Sequence, residues 1–260
     1  MKKLAIVLAV MLALVLAAGA VLAADQMPSS KVAVALGQIN VLKEVSSEGS
    51  PGSSDSGWET ILRTYIKTPN QKELLFHVSL ESGIYTQTKV KSKRNSEGDT
   101  STDTSSASGI IRVRVRVIDP NGYVRYAAPS GNSGRSLPIG GTEGVVFNYR
   151  TQTMTAKFMG IFTGECLIVD PDTDEVTIDY NCLEPEELEL LLDTLEANAF
   201  NFLLANVVPG VQTIEVQARL EVSADSQDGS SEAKAAIGLG SLVVETVRMV
   251  KGEDGTPELQ

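Results

Sequence analysis

Ile111–Ile118 reads IRVRVRVI, with an arginine at every second position. A strand sends successive side chains to opposite faces, whereas a helix would scatter these arginines around its axis. Ile111, Val113, Val115 and Val117 therefore face one way. Arg112, Arg114 and Arg116 face the other. Such a strand buries one face and solvates the other. Thr213–Val222 (TIEVQARLEV) alternates in the same way, with Ile214, Val216, Ala218, Leu220 and Val222 on one face.

Turn residues punctuate the rest. Asp119-Pro120-Asn121-Gly122 closes the arginine strand, and Tyr123–Ala127 reads as its return. Lys31–Val45, Trp58–Ile66, Glu73–Leu80, Gly144–Arg150, Thr153–Ile161, Phe200–Leu204 and Leu242–Val250 are further strand candidates. Ser46–Gly57 and Ser92–Gly109 are rich in Ser and Gly and read as exposed loops. One segment differs. Pro185–Ala197 (PEELELLLDTLEA) places Leu188, Leu191, Leu192 and Leu195 on one helical stripe, with Pro and acids where a helix begins. The expected fold is all-β, an antiparallel β-sandwich of jelly-roll type with one amphipathic helix near 185–197.

Pro209-Gly210-Val211-Gln212-Thr213-Ile214-Glu215-Val216-Gln217-Ala218 and the closing Gly240-Ser241-Leu242-Val243-Val244 resemble jelly-roll modules of the tumour-necrosis-factor-like and complement-like kind. The resemblance covers the last quarter of the chain well and the middle loosely. It implies a turn, a long alternating strand and a final apolar strand, and no particular activity. The helix and the cysteine pair depart from that pattern.

Lys2 and Lys3 precede an apolar run, Leu4–Ala24, that ends in small residues. This reads as a secretory signal peptide cut after Ala23; retention as an anchor is the alternative. The expected division is 1–23 signal peptide, 24–57 N-terminal strand and linker, 58–251 sandwich and 252–260 polar tail. The expected location is secreted or on the outside of the cell envelope. Any membrane contact would come from an uncleaved signal segment. Cys166 and Cys182 are the only cysteines of the chain, and export predicts a disulfide between them.

The charge is −11, from 22 Lys plus Arg against 33 Asp plus Glu. Cleavage after Ala23 removes two lysines and no acid, giving −13. So acidic a chain is a poor partner for nucleic acid. One His and two Cys leave little for a Cys/His zinc site or a Ser-His-Asp triad. His77 falls within an apolar strand candidate, where a hydrogen-bonded, partly buried imidazole is the reading.

Three constellations remain. Asp170, Asp172 and Asp174 alternate in a loop that would suit Ca²⁺, although Glu175 and Asn181 stand where an EF-hand loop needs Gly and Glu. The competing reading is a polar turn between Leu167–Val169 and Val176–Ile178, tied at its base by the two cysteines. Arg112, Arg114 and Arg116 form a row that would bind an anionic polymer, or would pair with Glu215 and Glu221 across a ladder. Trp58, Tyr65 and Tyr85 are candidates for stacking on a sugar. From Phe158 to Ala218 there are 13 acids and no Lys or Arg.

The expected function is that of an exported, non-enzymatic sandwich, structural, adhesive or ligand-binding. Its partners would be copies of itself, through Lys31–Val45 and an open sheet edge, or an extracellular polysaccharide. The alternative is a secreted carbohydrate-binding module or an Asp/Glu glycoside hydrolase.

Overall fold

The computed structural model describes residues 31–94, 99–129, 142–162, 166–171, 173, 175–251 and 257–259. The expected signal peptide lies outside them. In chain order the strands are β1 (Val32–Ser47), β2 (Gly52–Asp55), β3 (Glu59–Thr68), β4 (Lys72–Ser92), β5 (Asp103–Ile118), β6 (Val124–Tyr126), β7 (Ala128–Pro129), β8 (Val145–Ala156), β9 (Leu167–Val169), β10 (Val176–Ile178), β11 (Glu186–Val207), β12 (Gly210–Ser226), β13 (Ser230–Val247), β14 (Met249–Lys251) and β15 (Pro257–Leu259).

Two sheets form the sandwich. The first runs β1-β13-β4-β11-β7. The second runs β2-β12-β5-β6, with β3 also on β12 and β8 also on β5. Every pairing is antiparallel. Hairpins β9–β10 and β14–β15 stand apart from both sheets. β1 and β2 thus belong to the same two sheets as the strands after Trp58.

The alternation read in the sequence sets the core. Ile111, Val113, Val115 and Val117 of β5 are buried with Ile214, Val216, Ala218 and Leu220 of β12. Leu74, Phe76, Val78 and Leu80 of β4, Phe202 of β11 and Leu242 and Val244 of β13 complete the layer from the other sheet. Each fully buried large apolar side chain contributes about 1.5–3 kcal/mol. The interior becomes polar further along β4. Thr86 Oγ1 donates to Gln152 Oε1 at 3.0 Å, and Gln152 Nε2 donates to Thr88 Oγ1 at 2.6 Å. All three residues are buried.

Three expectations are corrected. The helix near 185–197 is absent: those residues form the first half of β11, laddered to β4 from Glu186↔Ser92 to Leu204↔Leu74. The long strand β4 offers an edge, and the ladder it provides outweighs helix propensity. Leu188, Leu190 and Leu192 then fall on the inner side, and Leu191 and Leu195 on the outer, instead of sharing one stripe. The Ser/Gly-rich stretch 92–109 is not all loop. From Asp103 onward it is β5, and Asp103 is buried, accepting backbone N–H bonds from Lys91 (2.7 Å) and Asp228 (3.0 Å). Small residues suit this half because the sheets approach closely; a Cβ on Gly109 would lie 2.8 Å from Ile84. Likewise Ser46–Gly57 contains β2, paired with β12 at Glu221–Ala224.

Candidate functional site

The arginine row stands on the outer face of β5, opposite β12. The ladder sets Arg116 against Glu215, Arg114 against Gln217 and Arg112 against Arg219. Arg116 Nη1 donates to Glu215 Oε2 at 3.0 Å, and Arg63 Nη2 donates to Glu215 Oε1 at 2.6 Å. Glu215 is only 3% exposed, so a buried carboxylate lies between two guanidinium groups. The bond to Glu215 raises the pKa of Arg63. Arg112 Nε lies 3.4 Å from Glu221, which Arg219 Nε also meets at 3.0 Å. Arg219 in turn reaches Asp55 of β2 at 2.6 Å, and that bond holds the Asp55 carboxyl below the usual carboxylate range.

Arg114 is held differently. Its guanidinium lies 4.1 Å from the Trp58 ring centroid and 4.7 Å from that of Tyr126. Its Nε donates to Gln217 Oε1 at 2.8 Å and its Nη1 to the Thr142 carbonyl at 2.6 Å. Burial is the largest influence on it and lowers its pKa. Ring faces attract a cation electrostatically, more strongly as water is excluded. Gly144 makes room for Trp58: its φ is +64°, and a Cβ there would lie 2.8 Å from the indole. The row is therefore largely satisfied within the molecule, by acids at its ends and rings at its centre.

The three aromatic residues singled out in the sequence do not share a surface. Tyr65 belongs to β3 of the second sheet, and Trp58 lies just before that strand. Tyr85 stands on β4 of the first, with Lys234 Nζ 5.4 Å from its ring. His77, also on β4, faces Asn201 across the ladder, with Nδ1 and Oδ1 2.9 Å apart.

Cys166 and Cys182 form a disulfide that closes the β9–β10 hairpin. Asp170 begins its turn, with its N–H donating to the Glu175 carbonyl at 2.9 Å. Asp172 and Asp174 lie outside the described residues. Leu167, Ile168, Val169 and Val176 of this hairpin are each more than half exposed.

The edges of the first sheet escaped the reading from sequence on one side. Among the described residues no strand pairs with the far edge of β1, nor with that of β11 from Glu186 to Phe200; β7 meets β11 only at Phe202 and Leu203. Leu188, Leu190, Leu191, Leu192 and Leu195 of β11 are exposed, Leu195 to 69%. So are Val32, Val34, Leu36 and Leu42 of β1, Leu36 to 78%. Natural sheets usually blunt such edges with short strands, lysines, prolines or a covering loop. The near-alternation of Glu187-Leu188-Glu189-Leu190 was the signal for a strand here, masked by the leucines that follow.

No protein family matches the chain, and no curated protein does. Among solved structures it is similar to a CocE/NonD family hydrolase of Staphylococcus aureus, at 8% identity and TM-score 0.20, covering 82% of this chain and 37% of that one. It is similar to an infectious bursal disease virus structure of the Gx strain, at 8% identity and TM-score 0.15, covering 83% and 39%. It is also similar to the winged bean acidic lectin complexed with methyl-α-D-galactose, at 12% identity and TM-score 0.16, covering 86% and 96%. The chain thus spans about two-fifths of the length of the first two. Likenesses at these TM-scores carry no argument about function. Among the described residues no helix is long and apolar enough to cross a membrane.

Proposed function

We propose that the protein is an exported, non-enzymatic structural subunit that assembles with copies of itself outside the cytoplasm. The carrying observation is the edge of β11 that no strand covers among the described residues, a run of ladder positions flanked by exposed leucines on both faces. An uncovered apolar edge is a template for another strand. The signal-peptide pattern and the disulfide support export. The order β1-β13-β4-β11 over β3-β12-β5-β8 supports a jelly roll, an architecture of capsid and lectin domains.

Light scattering on the mature chain over a range of concentrations, with and without Ca²⁺, tests the proposal. Mass that grows with concentration is expected. A monomer at every concentration, with or without Ca²⁺, overturns it. A Ca²⁺-dependent mass would assign Asp170, Asp172 and Asp174 a role.

A second reading, binding of an anionic extracellular polysaccharide on the second sheet, is favoured by Arg114 between Trp58 and Tyr126. Trp58 is the chain's single tryptophan, so its emission reports directly on that face. An emission unchanged by sulfated and carboxylated polysaccharides counts against this reading.

A further inference from the structure

We infer that copies join head to tail, with β11 of one laid antiparallel against β1 of the next, so that one sheet continues through successive subunits. The inference rests on the self-assembly proposed above and specifies its contact.

Polarity comes first. Each step along β1-β13-β4-β11 is antiparallel, so β1 and β11 run in opposite directions. A second copy set alongside in the same orientation presents its β1 antiparallel to β11. The sheet's alternation is then unbroken. Length agrees as well. β1 has 16 residues, and the open part of β11, Glu186 to Phe200, is nearly as long.

Facing agrees too. In β11 the odd-numbered residues point outward, as Leu195 opposite Gly83 shows, while Phe202 is buried opposite Phe76. In β1 the even-numbered residues point outward, and Ala33, Ala35, Val41 and Val45 pack inward. Overlap along the whole open edge, with Glu186 opposite Ser47, sets Leu191 beside Leu42 outside and Leu188 beside Val45 and Leu192 beside Val41 inside. A one-residue slip would put every side chain on the wrong face. Leucines that are half exposed in one copy would thereby continue the interior of the next.

Charge selects this pairing over a symmetric one. The open part of β11 carries Glu186, Glu187, Glu189, Asp193 and Glu196 and no base. Two fully overlapped β11 edges would gather ten acids and no base along one seam, with Asp193 directly opposite Asp193, which is destabilising. β1 carries Lys43 and Glu44, with Lys31 just before it, so the mixed seam holds six acids, with Glu189 beside Glu44 as its one directly opposed pair, and has lysines to offset them. A contact between two different edges leaves one edge free at each end, and between copies set in the same orientation it propagates into an open filament.

Two full-length variants test this. Val34→Glu with Leu36→Glu blocks β1; Leu191→Glu with Leu195→Glu blocks β11. All four side chains are exposed, and an unchanged Trp58 emission and urea midpoint show that each variant is folded. Should either shift, Thr replaces Glu at the same positions. At concentrations where the unaltered chain assembles, each variant alone is expected to be monomeric, and an equal mixture to run at twice the monomer mass. A dimer of the β1-blocked variant alone would mean β11–β11 pairing, and a dimer of the β11-blocked variant alone would mean β1–β1 pairing. Either result overturns the inference, as does a mixture that stays monomeric. An unaltered chain that never assembles overturns the proposed function itself.

Discussion

Glu215 holds two arginines from different strands, Arg63 of β3 and Arg116 of β5, on the outer face of β12. Removing one partner of such a group leaves the others without their charge while the desolvation remains. Glu215→Gln is expected to lower stability by about 1–3 kcal/mol, measured by urea unfolding. Arg112→Lys, at a half-buried and looser pair, should cost under ~1 kcal/mol; equal losses from the two would refute the distinction. Asp55 gives a pH dependence. Its bond to Arg219 lowers its pKa below the ordinary 3.8 in the folded chain. The stability it contributes is therefore complete above the unfolded value and is lost as pH falls through the folded one. Amide protection in Gly52–Asp55 should drop below about pH 4 in the native chain. In Asp55→Asn it should be low throughout; protection that follows pH equally in both would sink the assignment.

The β9–β10 hairpin is short and stands outside both sheets, so its order depends on the Cys166–Cys182 closure. Closing a loop of this size is worth about 3 kcal/mol by chain-entropy arguments. Cys166→Ser with Cys182→Ser should open 166–182 to protease while the main unfolding transition stays within a few degrees. Loss of the whole fold would show that the hairpin is integral to the sandwich. This element was legible in the sequence, because turn residues, two apolar triplets and two cysteines all act locally. The arginine strand was legible for the same reason; alternation gave its two faces and offered Glu215 as one partner across a ladder, and the pairing with β12 is what sets Arg116 against it. β11 was not. Its leucines satisfy a helical stripe, and only a remote partner, β4, decides between the two periods. Nor was the first half of β5. There Ser, Ala, Gly and a buried Asp103 replace large apolar residues, and hydrogen bonds from distant strands take over the holding.

At the scale of the whole molecule, charge opposes association. At −11 in full, or −13 after cleavage at Ala23, copies repel one another, and salt screens that repulsion within about 8 Å at physiological strength. The assembled fraction should therefore rise when salt is raised from about 0.01 to about 0.15 M. A fall would mean that the contact is held by opposite charges instead of by ladder and leucines. One small feature bears on how such an assembly would carry load. The Thr246 N–H donates to the Lys31 carbonyl at 2.9 Å, so β1 begins beside the end of β13. Force applied at those two points would peel the strands apart one bond after another, like a zipper, at low tension. Force applied across the sheet, along a row of joined subunits, would instead fall on every bond of a ladder together. The same hydrogen bonds would thus yield readily to a pull on the chain's ends and resist a pull along the filament.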